Sequence, residues 1–85
     1  MIKYPERLKQ GDYVLFIAVQ TQIAQVVGTR DEENKKLISV KILVDKVKSR
    51  IGEVRELKAS RFYDQFYEGP YTQRKVISYI FENWG

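Results

Sequence analysis

The spacing of apolar residues changes near residue 60 of this chain. Before it, they fall in short runs or alternate with polar ones; after it, they recur at intervals of one and four. Tyr13-Val14-Leu15-Phe16-Ile17-Ala18-Val19 is β-branched and aromatic, apolar on both alternating sides and too short for a typical helix, which predicts a strand covered on both faces. Gln20-Thr21-Gln22 is polar and predicts a turn, and Ile23 to Val27 a second strand. Residues 28–36 (GTRDEENKK) carry no large apolar side chain and predict a loop. Leu37 to Val44 is the clearest periodic segment. Ile38, Val40, Ile42 and Val44 alternate with Leu37, Ser39, Lys41 and Leu43, as on a strand with one buried face. The alternation slips at Asp45-Lys46, where a bulge or strand end is expected. A turn over Lys48 to Gly52 and a fourth strand over Glu53 to Lys58 complete this part.

From Ser60 onward the pattern predicts helix. Phe62, Tyr63, Phe66 and Tyr67 share one face of a short helix that Ser60 can cap, with Phe62 and Phe66 expected to point inward. Glu68-Gly69-Pro70-Tyr71 reads as a break. Thr72 can cap a second helix with Val76, Ile80 and Trp84 in one stripe and Ile77 and Phe81 beside it; this stripe is expected to face the sheet or a second copy of the chain. The expected fold is therefore α+β, a single small domain over residues 1–85. A strongly bent antiparallel sheet or barrel of four to five strands fills residues 8–58, and one or two helices fill the C-terminal part, residues 60–84.

Composition narrows the chemistry. The 85 residues include no Cys and no His. Disulfides, thiolate nucleophiles, imidazole acid–base catalysis and zinc sites built on nitrogen or sulfur are therefore excluded. The glycines are too scattered to cradle a phosphate, and no serine sits in a Gly-x-Ser-x-Gly turn. No enzyme activity, catalytic residue, metal or cofactor is expected. The first residues hold no apolar core of signal-peptide length, and the longest apolar run, Tyr13 to Val19, is far below the ~20 residues that span a bilayer. A cytoplasmic, non-membrane protein is expected.

The net charge of +4 is unevenly placed. Residues 35–61 hold nine Lys/Arg against three Asp/Glu, net +6, whereas the segments on either side are each net −1. Lys41, Lys46, Lys48, Arg50, Arg55, Lys58 and Arg61 are the candidate binding residues, because cations lined along an extended segment can neutralise successive phosphates of RNA or DNA. The same pattern also fits a solvated strand face or a surface for an acidic protein partner. Tyr63, Tyr67 and Tyr71 are candidates for base stacking or protein docking in an aromatic-rich C-terminal third. The leading expectation is a non-catalytic nucleic-acid-binding module. The alternative is a protein-interaction or assembly subunit, such as a homo-oligomer with an aromatic C-terminal interface.

The segment Leu8-Lys9-Gln10-Gly11-Asp12-Tyr13-Val14-Leu15-Phe16, followed by Ile23-Ala24-Gln25-Val26-Val27-Gly28, resembles the opening of PUA-like barrels, including the EVE and ASCH groups. Gly-Asp before an apolar strand also opens Tudor-, KOW- and Src-homology-three-like barrels. A PUA-like resemblance implies binding of RNA or modified bases. It assigns no base-pocket residue here.

Overall fold

A computed structural model describes residues 1–18 and 21–84 and, for Trp84, the backbone only. Among these residues five antiparallel strands form one sheet, and a single α-helix follows it. The strands are β1 (Tyr13–Ile17), β2 (Thr21–Glu32), β3 (Lys35–Val44), β4 (Val54–Lys58) and β5 (Tyr67–Tyr71); the helix is α1 (Gln73–Trp84). The order across the sheet is β4-β3-β2-β1-β5, so β4 and β5 are its edges. Short 3-10 turns at Pro5–Arg7, Lys48–Arg50 and Ala59–Tyr63 link or cover these elements. The expected α+β class is observed, with the sheet open between β4 and β5 rather than hydrogen-bonded into a closed barrel.

Each face of the sheet carries its own core. On the inner face, Val14, Ala24, Val26, Ile38 and Val40 pack beneath Ile2, Leu8 and Phe62. The lid is chain from outside the sheet: the N-terminal segment and the Ala59–Tyr63 turn, which also pack on each other. On the opposite, helix face, Leu15 and Ile23 meet Val76 of α1, flanked by Tyr13, Val44, Tyr71, Tyr79 and Ile80. β1, and Ile23-Ala24 of β2, are thus apolar on both sides because both sides are covered.

Two bulges make this division possible. Ile23 pairs with Val44 but Ala24 pairs with Ile42, leaving Leu43 as an extra residue on β3. Val26 pairs with Val40 but Gly28 pairs with Ser39, leaving Val27 extra on β2. The slip at Leu43 carries Val44 to the helix face although Ile42, two residues earlier, is on the inner face. The sequence places this slip slightly later, at Asp45-Lys46.

Three expectations are corrected. The polar stretch 28–36 is not a loop: Gly28–Glu32 continue β2, Lys35 and Lys36 begin β3, and only Glu33 and Asn34 turn the chain. Its backbone pairs in register, and Asp31 stands opposite Lys36 and Glu32 opposite Lys35, so charge complementarity takes the place of apolar packing. The turn expected at residues 20–22 does not include Thr21 and Gln22, which lie in β2; Val19 and Gln20 are outside the described residues. Third, the C-terminal part 60–84 is not wholly helical. Ala59–Tyr63 is a single 3-10 turn, and Tyr67–Tyr71, read as helix end and break, is the edge strand β5. Pro70 is tolerated because an edge strand leaves half its backbone donors unused. Gly69 is required there: its φ is +143°, and a β-carbon would sit 3.0 Å from the Tyr13 carbonyl oxygen. Phe66 is exposed, not inward, because its segment never completes a helical turn.

Thr72 caps α1 as expected, its hydroxyl accepting the Lys75 N–H at 3.3 Å. Val76 is buried and Ile80 half-buried against the sheet, whereas Ile77 and Phe81 face away. The Trp84 side chain, expected in the same stripe, lies outside the described residues.

Candidate functional site

The inner face is closed at the end where Phe62, Ile2 and Leu8 meet and open at the other. At the open end β1 contributes Phe16, β2 Gln22 and β5 Tyr67, all pointing to the same side as the core residue Val14. Arg55 projects there from β4, because it pairs with the inward-facing Val40. Arg50 approaches from the 3-10 turn after β3, and Arg61 from the turn after β4. These six side chains, with Ala18 and Asp45, line a cleft of about 350 Å³.

Its floor is aromatic. The half-buried Tyr67 ring lies 4.7 Å from Phe16 and 4.9 Å from Phe62, centroid to centroid, in tilted contacts. Phe62 belongs to the core, so the ring array is anchored at one end and open at the other. Burial pushes the Tyr67 hydroxyl above its ordinary pKa, with Arg61 and Arg55 acting in the opposite sense.

Its wall is a fixed carboxylate. Asp45, buried, accepts a hydrogen bond from the Gln22 amide at 2.7 Å and another from the Val47 backbone N–H at 2.8 Å. The Gln22 bond, then the Val47 bond, hold its pKa below the ordinary carboxylate value, and the nearby charges of Arg50 and Arg55 add to this. Asp45 is therefore ionised near neutrality. By tying β2 to the first residues after β3, it fixes the start of the turn that carries Arg50. Arg55 donates to Glu53 at 2.8 Å, and among the described residues no carboxylate lies within ion-pair distance of Arg50 or Arg61.

The seven basic residues singled out in the sequence are thus split. Arg50, Arg55 and Arg61 converge on the cleft. Lys41 is exposed on the other face of the sheet, opposite Val54, and Lys46 and Lys48 are exposed along the turn after β3. Lys58, at the end of β4, lines a separate groove with Lys35, Lys36 and Tyr63. The split follows from the pleat: Lys41 and Lys58 fall on one parity of the β3–β4 ladder and Arg55 on the other. The other side of this ladder is also partly neutralised, because Arg30 forms a two-pronged pair with Glu56 at 2.9 Å in each arm. That pair holds the Glu56 carboxyl below its ordinary pKa and the Arg30 guanidinium above its own.

The three tyrosines are not brought together either. Tyr63 is exposed and donates to Glu6 at 3.0 Å. Tyr67 floors the cleft, and Tyr71 packs into the helix-face core. Sequence reading misses Phe16, Gln22 and Asp45. Phe16 carries a usable signal, since it stands two residues after Val14 on a strand and so shares its face. Nothing in the sequence marks Gln22 and Asp45 as partners.

A second surface feature lies on α1. Phe81 is 74% exposed and Ile77 46% exposed, one helical turn apart, on the side away from Val76 and Ile80. Arg74, Ser78 and Glu82, all exposed, share that side. Among the described residues no helix is long and apolar enough to cross a membrane, and no acidic cluster could hold a metal ion. No family model, curated protein or solved structure matches this chain, so the likeness of residues 8–28 to PUA-like and related barrels stays an expectation.

Proposed function

We propose that this chain is a non-catalytic assembly module that pairs with a second copy of itself through the outer face of α1. The observation that carries this reading is Phe81, a large aromatic side chain displayed to solvent one turn from the exposed Ile77 on a helix whose opposite face is already packed. A lone helix of 12 residues gains little from its own propensity, so apolar residues on its outer face contribute only when something covers them. The charges on that face favour a copy of the same chain. Arg74 and Glu82 flank Ser78 at equal distances in sequence. Two α1 helices laid antiparallel about a two-fold axis at Ser78 set Arg74 of each copy opposite Glu82 of the other, with the small serine letting the helices approach. A self-complementary patch of this kind is what a two-fold interface requires.

One helix of ~18 Å makes a small contact, so dissociation on the order of micromolar or weaker is expected. Sedimentation equilibrium over a broad concentration range tests it. Wild type should shift from monomer toward dimer, and Phe81→Ser should remain monomeric with an unchanged melting temperature at low concentration. Arg74→Glu should weaken the dimer, and Arg74→Glu with Glu82→Arg should restore it. A wild type that stays monomeric at the highest attainable concentration overturns the reading.

Binding of nucleic acid through all seven basic residues is less well supported, because they stand on different surfaces. One group of three does favour an anionic ligand.

A further inference from the structure

The geometry of the inner-face cleft points to a binding site for a nucleoside phosphate, its phosphate held by Arg50, Arg55 and Arg61 and its base laid on the Tyr67–Phe16 rings. This inference is independent of the assembly reading, since it uses neither α1 nor any residue on it.

Three properties carry it. First, the cleft is concave and about 350 Å³, within the range of small-ligand sites. Second, guanidinium groups enter it from three separate elements, and two of them have no ion-pair partner among the described residues. Glu53 at Arg55 and Asp45 beside Arg50 and Arg55 offset part of this charge, and an anionic ligand would offset the rest. Arg50 and Arg61, with the part of Arg55 not engaged by Glu53, present more donors than one carboxylate can accept, whereas a terminal phosphate offers three oxygens, each able to take charge-assisted bonds. Third, the open side of Tyr67 and Phe16, rings tilted 42° to each other, provides an aromatic surface beside those cations on which a planar base can stack against one ring, and which gives nothing specific to a flexible acidic side chain. Asp45, ionised in the same cleft, offsets part of the arginines' charge. Both its oxygens already accept hydrogen bonds, from Gln22 and Val47, and it acts as the brace that positions the turn bearing Arg50.

The ligand chemistry is common to a free nucleotide and to an unpaired nucleotide at the phosphorylated end of a single strand. Both are tested by isothermal titration calorimetry of the wild-type chain. The probes are adenosine monophosphate, adenosine, ribose 5-phosphate, and a short single-stranded oligoribonucleotide with or without a 5′-phosphate. Adenosine monophosphate should bind at least about tenfold more tightly than either of its halves, since each half forfeits stacking or charged hydrogen bonds. Equal binding of the phosphorylated oligonucleotide places the source at a strand end; binding of the mononucleotide alone places it among free nucleotides.

Arg50→Gln and Arg61→Gln alter exposed side chains, so the fold should persist, verified by an unchanged melting curve. Each should weaken adenosine monophosphate about tenfold or more. Tyr67→Leu should abolish the advantage over ribose 5-phosphate. Lys41→Gln with Lys46→Gln, outside the cleft, should leave binding unchanged. Three results overturn the proposal: ribose 5-phosphate binding as tightly as adenosine monophosphate; the lysine pair mattering as much as the arginines, which would mean diffuse surface charge; or no binding of any nucleotide while a peptide with an acidic C-terminus binds.

Discussion

The two faces of the sheet are closed by different means. On the inner face the cover comes from both ends of the chain's fold: Ile2 and Leu8 from the N-terminal segment and Phe62 from the turn after β4, all essentially without exposed surface. On the helix face the cover among the described residues is α1. Of its described side chains only Val76 is buried, Tyr79 and Ile80 remain half-buried, and the helix shows a further apolar side outward. One face is thus sealed with a polar cleft at its open end, and the other is thinly sealed with apolar surface to spare. The inner core holds the strands in register, and the cover of the outer one is itself an exposed surface.

The largest test of this contrast is mutational. Phe62→Ala and Leu8→Ala should cost about 3–5 and 2–5 kcal/mol, enough to leave this small domain partly unfolded, as urea denaturation would show. Ile80→Ala, similar in volume to Leu8→Ala, should cost only about 1–2 kcal/mol because the side chain is half-exposed before truncation. Equal losses for Leu8→Ala and Ile80→Ala would erase the contrast.

Acid provides a second, smaller test. Asp45 and Glu56 both have folded-state pKa values below their ordinary ones. Their contribution is complete above the ordinary carboxylate value and is lost as the pH falls through and below it. Midpoints of urea unfolding should therefore decline progressively below about pH 5. Asp45→Asn should flatten part of that decline and leave the rest to Glu56. A variant with the wild-type pH profile would show that the Gln22–Asp45 brace carries no stability.

The smallest effect is expected at the turn that both faces share. Glu33 adopts φ +55°, a left-handed conformation that costs a side chain with a β-carbon. Glu33→Gly should raise stability by about 0.5–1 kcal/mol, read as a rise in melting temperature. Because the turn joins β2 to β3, the gain should appear whichever face is probed. A loss would mean that the Glu33 side chain has a role of its own.

Much of this fold is legible in the sequence. Alternation at Ile38, Val40 and Ile42 marks β3, and the doubly apolar Tyr13–Ile17 segment marks a strand covered twice. The rest is hidden for physical reasons. Hydrophobic patterning reports burial, so it cannot see the end of the β2–β3 hairpin, where strands extend past the core. Opposed Asp31-Glu32 and Lys35-Lys36 across two residues were the available clue. β5 is masked by Gly69 and Pro70, which forbid a central strand but not an edge. The cleft is the least legible part. Its arginines stand at intervals of five and six in sequence, matching no period, and the three-dimensional path of two turns unites them.

The paired bulges in the β2–β3 hairpin have a consequence for how the chain can change length. Each strand carries one surplus residue, Val27 and Leu43, and the surpluses enclose a stretch of three ladder pairs between them. Removing either residue, or both, would leave every remaining pair matched and every side chain on its present side, because Ile42 and Val44, or Val26 and Gly28, would become neighbours on the opposite faces they already occupy. The hairpin therefore tolerates the loss of either surplus residue, singly or together. The doubly shortened protein would also lose the local coiling that bulges impart, so its sheet should flatten and its cleft widen.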